Sequence, residues 1–153
     1  MDTQARVAGL FIAGVEGGPI APKDEVQAVA GSGLAGDRYF RSADEEHDST
    51  EEITLFEKEA VDRANVDHEL GLEYADMRRN VMTEGIDLRS LIGQIVRVGE
   101  AEVEVMEDNP PCRHLETLAA KPLLKPMIDK GGVRGRIISS GTIRTGDAIT
   151  AGS

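Results

Sequence analysis

Residues 95–106 read Ile95-Val96-Arg97-Val98-Gly99-Glu100-Ala101-Glu102-Val103-Glu104-Val105-Met106. Val103 and Val105 alternate with Glu102 and Glu104. A period of two sends apolar side chains to one face of a strand and carboxylates to the other. The Gly99-Glu100 pair between two such runs is a tight turn. Residues 95–98 and 101–106 are therefore expected to pair as a hairpin.

Working outward, the same short spacing recurs. Residues 7–13 form an apolar run broken by Gly14, Gly17, Gly18 and Pro19, and 25–30 alternate weakly. Both read as strands, as do 78–83, 136–139 and 148–150, the last preceded by a Thr145-Gly146-Asp147 turn. Helical signals are fewer. Thr54-Leu55-Phe56-Glu57 matches a capping box, with Phe56, Ala60 and Ala64 at i, i+4, i+8, so a helix of about three turns is expected there. Residues 87–92 read as a helical turn ended by Gly93, 113–120 as a helix stopped by Pro122, and 123–130 as a second short helix. Acidic, polar residues 42–52 read as an exposed loop. Many short strands with a few short helices indicate a β-rich α+β fold, a barrel with helical insertions. No repeat or linker divides the chain, so one domain over 1–153 is expected.

Composition narrows the function. The 153 residues carry 17 Lys and Arg against 28 Asp and Glu, a formal net charge of −11. A phosphate backbone is engaged chiefly by cations, so neither nucleic acid nor an anionic membrane surface is an expected partner. Aromatics are 3% with no Trp, which leaves no stacking platform for single strands. The single cysteine excludes an internal disulfide and a cysteine-rich metal cluster, and points to a reducing cytoplasm. The N-terminus lacks a basic head followed by a long apolar run.

Gly31-Ser32-Gly33-Leu34-Ala35-Gly36 matches G-x-G-x-x-G. A dinucleotide site needs this motif to open a helix whose N-terminus meets the pyrophosphate. Here Asp37-Arg38-Tyr39-Phe40 and an acidic loop follow, without a helical apolar period. The motif is read as a glycine-rich loop between strands.

The chemistry concentrates elsewhere. Cys112 stands in Asn109-Pro110-Pro111-Cys112-Arg113-His114-Leu115. Two prolines hold an extended approach, and Leu115, Leu118 and Ala119 begin a helical stripe. Cys112 is thus expected at a helix N-terminus, partly exposed, where the dipole favours a thiolate. A thiolate is a nucleophile, a persulfide carrier or a soft metal ligand. A lone cysteine packed as a small hydrophobe is the competing reading. Arg78-Arg79-Asn80, read as a strand, places Arg78 and Asn80 on one face and Arg79 on the other. Arg134, Arg136 and Arg144 add guanidiniums suited to an anion. Gly36-Asp37-Arg38 reads as a turn with a surface ion pair. His47 beside Asp44, Glu45, Glu46 and Asp48 is read as part of a solvated loop rather than a metal site.

Taken in order, Gly33–Arg38, residues 53–60, Arg78-Arg79-Asn80, residues 85–93, Pro111-Cys112 and the ending Gly141–Asp147 resemble the MOSC domain, named for the C-terminal domain of molybdenum cofactor sulfurase. The resemblance runs from about Val7 to Thr150. It implies a β-barrel-like fold and a molybdopterin-type molybdenum cofactor. It assigns Cys112 as molybdenum or sulfur ligand and Arg78 and Asn80 as cofactor contacts. Asp37 and Arg38, in the opening signature, join them, and Arg113 and Arg136 are added as candidates to hold the pterin phosphate. The implied activity is an oxidoreductase that reduces N-hydroxylated compounds. The alternatives are a persulfide or cofactor carrier working through Cys112, and a binding module without chemistry. The sequence has no pyridoxal-phosphate desulfurase domain and no ferredoxin-like cysteine cluster, so a partner protein is expected to supply electrons or sulfur to a small-molecule reaction.

Overall fold

The computed structural model describes residues 4–42 and 44–151. Along the chain run β1 (Arg6–Ile12), β2 (Ala21–Lys23), β3 (Glu25–Val29), β4 (Gly33–Leu34), β5 (Ile53–Glu57), α1 (Lys58–His68), β6 (Val81–Glu84), β7 (Ile95–Val98), β8 (Ala101–Asp108), α2 (Arg113–Ala119), β9 (Val133–Ser139), β10 (Gly141–Arg144) and β11 (Ile149–Ala151). The fold is mixed α+β and rich in strands.

The hairpin read at 95–106 is β7–β8, antiparallel, with Val96 opposite Val103 and Val98 opposite Ala101. It belongs to an eight-stranded sheet in the order β11-β7-β8-β9-β5-β6-β1-β2. Among the described residues its one parallel pair is β5–β6. Parallel neighbours need a crossover, and α1 supplies it. A second sheet, β10-β3-β4, lies apart from this ladder. Arg6 bridges Ala148 in isolation, and the Val7 amide donates to the Asp147 carbonyl at 2.8 Å. The first strand thus touches the approach to the last. The ladders nonetheless form two open sheets, and a closed barrel is not found among the described residues.

Two apolar clusters hold these layers. Val7, Leu10, Leu55, Val81, Val103, Val105 and Ile137 belong to one. Phe11, Phe56, Met77, Met82, Leu115, Leu123 and Met127 form the other, with Ala60, Val61 and Ala64 of α1. Neighbouring residues of the central strands split between them: Leu55 faces one core and Phe56 the other, as do Val81 and Met82. Such a strand is covered on both faces and loses its polar alternation.

That double burial explains the main misreading. The expected helix from Thr54 begins only at Lys58, because residues 53–57 are β5, paired with β9 and β6. Glu57 closes no capping box; its carboxylate accepts the Leu88 amide at 2.9 Å. Residues 123–130 form turns rather than a helix. Pro126 lacks the amide a helix would use there, while Leu123 and Met127 are fully buried. The strand expected from residue 78 starts at Val81. The turn at 87–92 is present as a 3-10 turn, Leu88–Leu91. The Gly31–Gly36 motif opens no helix: it spans the β3–β4 turn and leads into Asp37.

Candidate functional site

Cys112 follows β8 by way of Asn109, Pro110 and Pro111. Its backbone is extended (φ −135°, ψ 170°), and it is the residue before the first turn of α2. Its carbonyl accepts the Glu116 amide at 3.0 Å, while its thiol makes no capping bond. The thiol is exposed, so the packed-hydrophobe reading fails. Leu115, 3% exposed, anchors α2 in the second core. Lys121, just beyond the helix, ties it to a 3-10 turn, Tyr74–Met77, through Asp76 at 2.6 Å.

That turn sets the opposite wall. It ends at Arg78, which has φ 52° and ψ 36°. A left-handed arginine is uncommon and is held only where surroundings impose it. Arg78 Nη2 donates to the Gly18 carbonyl at 2.7 Å. Arg79 donates from Nε to the Gly131 carbonyl at 3.4 Å, and from Nη2 to the carbonyls of Asn109 at 3.4 Å and Pro110 at 3.3 Å. The third wall comes from the residues after Gly36. Asp37 is buried, accepts the Ala13 amide at 3.1 Å and pairs with Arg38 Nη1 at 3.1 Å. Arg38 Nη2 donates to the Arg78 carbonyl at 3.1 Å, and its guanidinium lies 4.5 Å from the Tyr39 ring centre.

Arg38, Tyr39, Arg78, Arg79, Cys112 and His114 thus line one cleft of about 90 Å³, in which Glu16 is the only carboxylate among the described residues. A neighbouring depression of about 130 Å³ shares Arg78 and Leu118 with it. Burial, and then the nearby Arg38 charge, hold the Arg78 guanidinium below its ordinary value. Burial pushes Arg79 down to about 10. Both remain cationic at neutral pH. Among the described residues neither has a carboxylate partner, whereas Arg6, Arg134, Arg136 and Arg144 each do. The two cleft arginines are held by neutral carbonyls, which fix a guanidinium without cancelling its charge.

The structure brings Cys112, Arg78 and Arg38 together, but not every expected contact. Asn80 is 2% exposed and turned inward: its Oδ1 accepts from the Thr54 amide at 3.1 Å, and its Nδ2 donates to the Phe11 carbonyl at 3.2 Å. Arg136 stands exposed on β9, tied to Glu104 at 2.6 Å, and does not line the cleft. Arg113 is exposed beside Cys112 but outside the lining. Asp37 sits behind Arg38 and supports it. Arg79, expected on the opposite face from Arg78, lines the same cleft. The expectation assumed a strand; the left-handed turn at Arg78 breaks the two-residue alternation, and nothing in the sequence signals it.

A larger cavity of about 500 Å³ lies elsewhere, lined by Glu57, Glu59, Arg63, Asp87, Arg89 and Lys130 among others. Its described lining mixes acidic and basic side chains and includes no thiol or imidazole, whereas the smaller cleft holds both Cys112 and His114. His47 contacts Glu52 at 2.9 Å and the Glu45 carbonyl at 3.1 Å. Among the described residues no group of three or more His, Cys, Asp or Glu is arranged to hold a metal ion. A metal at the cleft would take Cys112 as its protein ligand and need the rest from a carrier. No described helix is long and apolar enough to cross a membrane.

Known proteins place this architecture. The YuaD protein of Bacillus subtilis matches with a TM-score of 0.79 at 20% identity, covering 96% of this chain and 94% of that one. YiiM of Geobacillus stearothermophilus matches at 0.72 and 15% identity, covering 97% and 75%. YiiM of Escherichia coli matches at 0.69 and 19%, covering 97% and 70%. A comparison with curated proteins finds no match. The model of the MOSC domain matches residues 37–150, from the aspartate behind Arg38 through Cys112 to the last strand. The chain belongs to the MOSC domain family.

Proposed function

We propose that this protein binds a molybdopterin-type molybdenum cofactor in the Cys112 cleft and reduces N-hydroxylated compounds. The observation that carries the reading is the pairing of an exposed thiol with guanidiniums held by carbonyls rather than carboxylates. A soft sulfur donor suits molybdenum. Uncompensated guanidiniums suit a phosphate, and they are otherwise costly in a partly dry site. The residues present therefore fit the group: Cys112 as metal ligand, with Arg78 toward its phosphate and Arg38, already paired with Asp37, bracing Arg78. The bound cofactor would supply the electron-transfer centre.

The chain's own residues do the remaining work. Asp37 orients Arg38, and Arg38 braces the Arg78 carbonyl. Tyr39 and His114 bring a phenol and an imidazole to the cleft lining. Overall, the N–O bond of the substrate is cleaved, two electrons and two protons are consumed, and the amine and water leave. The electrons come from a separate donor protein in a reducing, cytoplasmic setting.

Metal and pterin analysis of protein purified from a cofactor-competent host tests the reading. Bound molybdenum is expected. Cys112→Ser should abolish reduction of an N-hydroxylated substrate while retaining pterin through the arginines. Protein with neither metal nor pterin overturns the reading. One observation favours a second reading: the Cys112 thiol is exposed and free of capping bonds, as a sulfur carrier requires. A mass gain of one sulfur on Cys112, without metal, would establish that reading instead.

A further inference from the structure

Arg79 has an arrangement that anion binding alone does not explain. Its guanidinium spans three main-chain carbonyls from two separate segments: Asn109 and Pro110, on the approach to Cys112, and Gly131, on the return toward β9. Pro110 and Pro111 have no amide hydrogens, so this approach cannot fasten itself by donating from its own backbone there. The Asn109 amide donates to the Gly132 carbonyl at 2.9 Å, and beyond it Arg79 takes over as the tie. Space around the tie is tight: a Cβ on Gly131 would press on the Asn109 carbonyl and on Pro111. Arg79 also shares the cleft with the sulfur and has no carboxylate partner among the described residues.

We infer that Arg79 is a positioning residue for Cys112: it fastens the Asn109-Pro110 approach to Gly131, so that the sulfur stands at a fixed place in the cleft beside an unmatched positive charge. The inference rests on the proposed function only in locating the chemistry at Cys112, and it needs no cofactor to be tested. Guanidinium geometry is essential to it. A lysine ammonium carries the charge but is a compact point that cannot span three separated carbonyls.

The single thiol makes the test direct, because alkylation of the full chain reports on Cys112 alone. Two probes are used, neutral iodoacetamide and anionic iodoacetate. Access to the sulfur changes both rates together, whereas local positive charge changes their ratio. Arg79→Gln is expected to lower the iodoacetate-to-iodoacetamide ratio roughly fivefold, the usual effect of one nearby, partly solvated charge. Arg79→Lys is expected to preserve that ratio but raise both rates together, on the order of threefold or more, as the loop opens locally. Arg136→Gln, on the far pairing with Glu104, should change neither quantity. An unchanged ratio in folded Arg79→Gln, or unchanged rates in Arg79→Lys, overturns the inference. If Arg79→Gln does not fold, the salt dependence of the wild-type ratio replaces it: the ratio should fall as salt screens the charge, and a ratio indifferent to salt overturns the charge component. Absence of molybdenum from the purified protein would defeat the cofactor reading and leave these rates unaffected, so the two failures are distinguishable.

Discussion

Replacing Asn80 by alanine tests whether this residue is an internal strut rather than a ligand contact. The side chain is 2% exposed. Its Oδ1 accepts from the Thr54 amide at 3.1 Å and from Thr54 Oγ1 at 3.0 Å, and its Nδ2 donates to the Phe11 carbonyl at 3.2 Å. These three bonds join β1, β5 and the entry to β6. Alanine removes all three and leaves the Thr54 amide and the Phe11 carbonyl without those partners. A net hydrogen bond contributes about 1 kcal/mol, and an orphaned buried group costs about 1–3 kcal/mol. The expected loss is about 3–4 kcal/mol, a large share of the roughly 5–15 kcal/mol that holds a domain together. Urea titration followed by circular dichroism should show the midpoint falling by roughly 1.5 M or more at an unchanged slope of about 2 kcal/mol/M. Thr54→Val should cost less alone and couple to Asn80→Ala by more than about 1 kcal/mol in a double-mutant cycle. A loss below about 1 kcal/mol for Asn80→Ala, with the slope unchanged, would refute the strut.

Two further outcomes follow from the packing. Hydrogen bonds to Glu52 and to the Glu45 carbonyl raise the His47 imidazole above its ordinary value of 6.5. Both ring nitrogens donate only in the charged form. The raised folded value means that this stabilisation is fully present below about pH 6.5 and is lost as pH climbs through the folded value. Melting temperatures from about pH 6 to pH 8 should therefore decline more in the wild type than in His47→Gln, and parallel curves would contradict the link. Gly132 has φ 102°, and a Cβ there would fall on the Leu55 carbonyl, so Gly132→Ala must part β5 from β9. Loss of soluble protein, or destabilisation beyond about 4 kcal/mol, is expected; a melting temperature near that of the wild type would show that the contact yields.

Legibility varied along the chain for physical reasons. The β7–β8 hairpin was readable because one face meets the core and the other meets water: Val103 and Val105 are fully buried while Glu102 and Glu104 are half-buried on the opposite face. The helix beginning at Arg113 was readable from the prolines before it and Leu115 within it. By contrast, β5 hid in a helical pattern, since Leu55 and Phe56 are both buried, in different cores. Within the site, Cys112, Arg78 and Arg38 could be singled out from chemistry and resemblance. Asn80 could not be sorted from them, because an amide that holds a ligand and one that holds its own backbone look alike in sequence.

The sequence by itself determined the strand-rich class, the family and the thiol, because these depend on local periodicity, ordered motifs and residue identity. Only the tertiary structure decided which arginines meet the sulfur. Arg79 enters the cleft because the chain turns left-handed at Arg78, and Arg136 leaves it because β9 pairs beside Glu104 on β8. Both outcomes depend on contacts between segments far apart in sequence: Arg79 reaches Gly131 and Asn109, while the carboxylate that neutralises Arg136 arrives on another strand. A guanidinium's usefulness to an anion depends on whether its partner is a carbonyl or a carboxylate, and that partner is chosen by strand register and loop path.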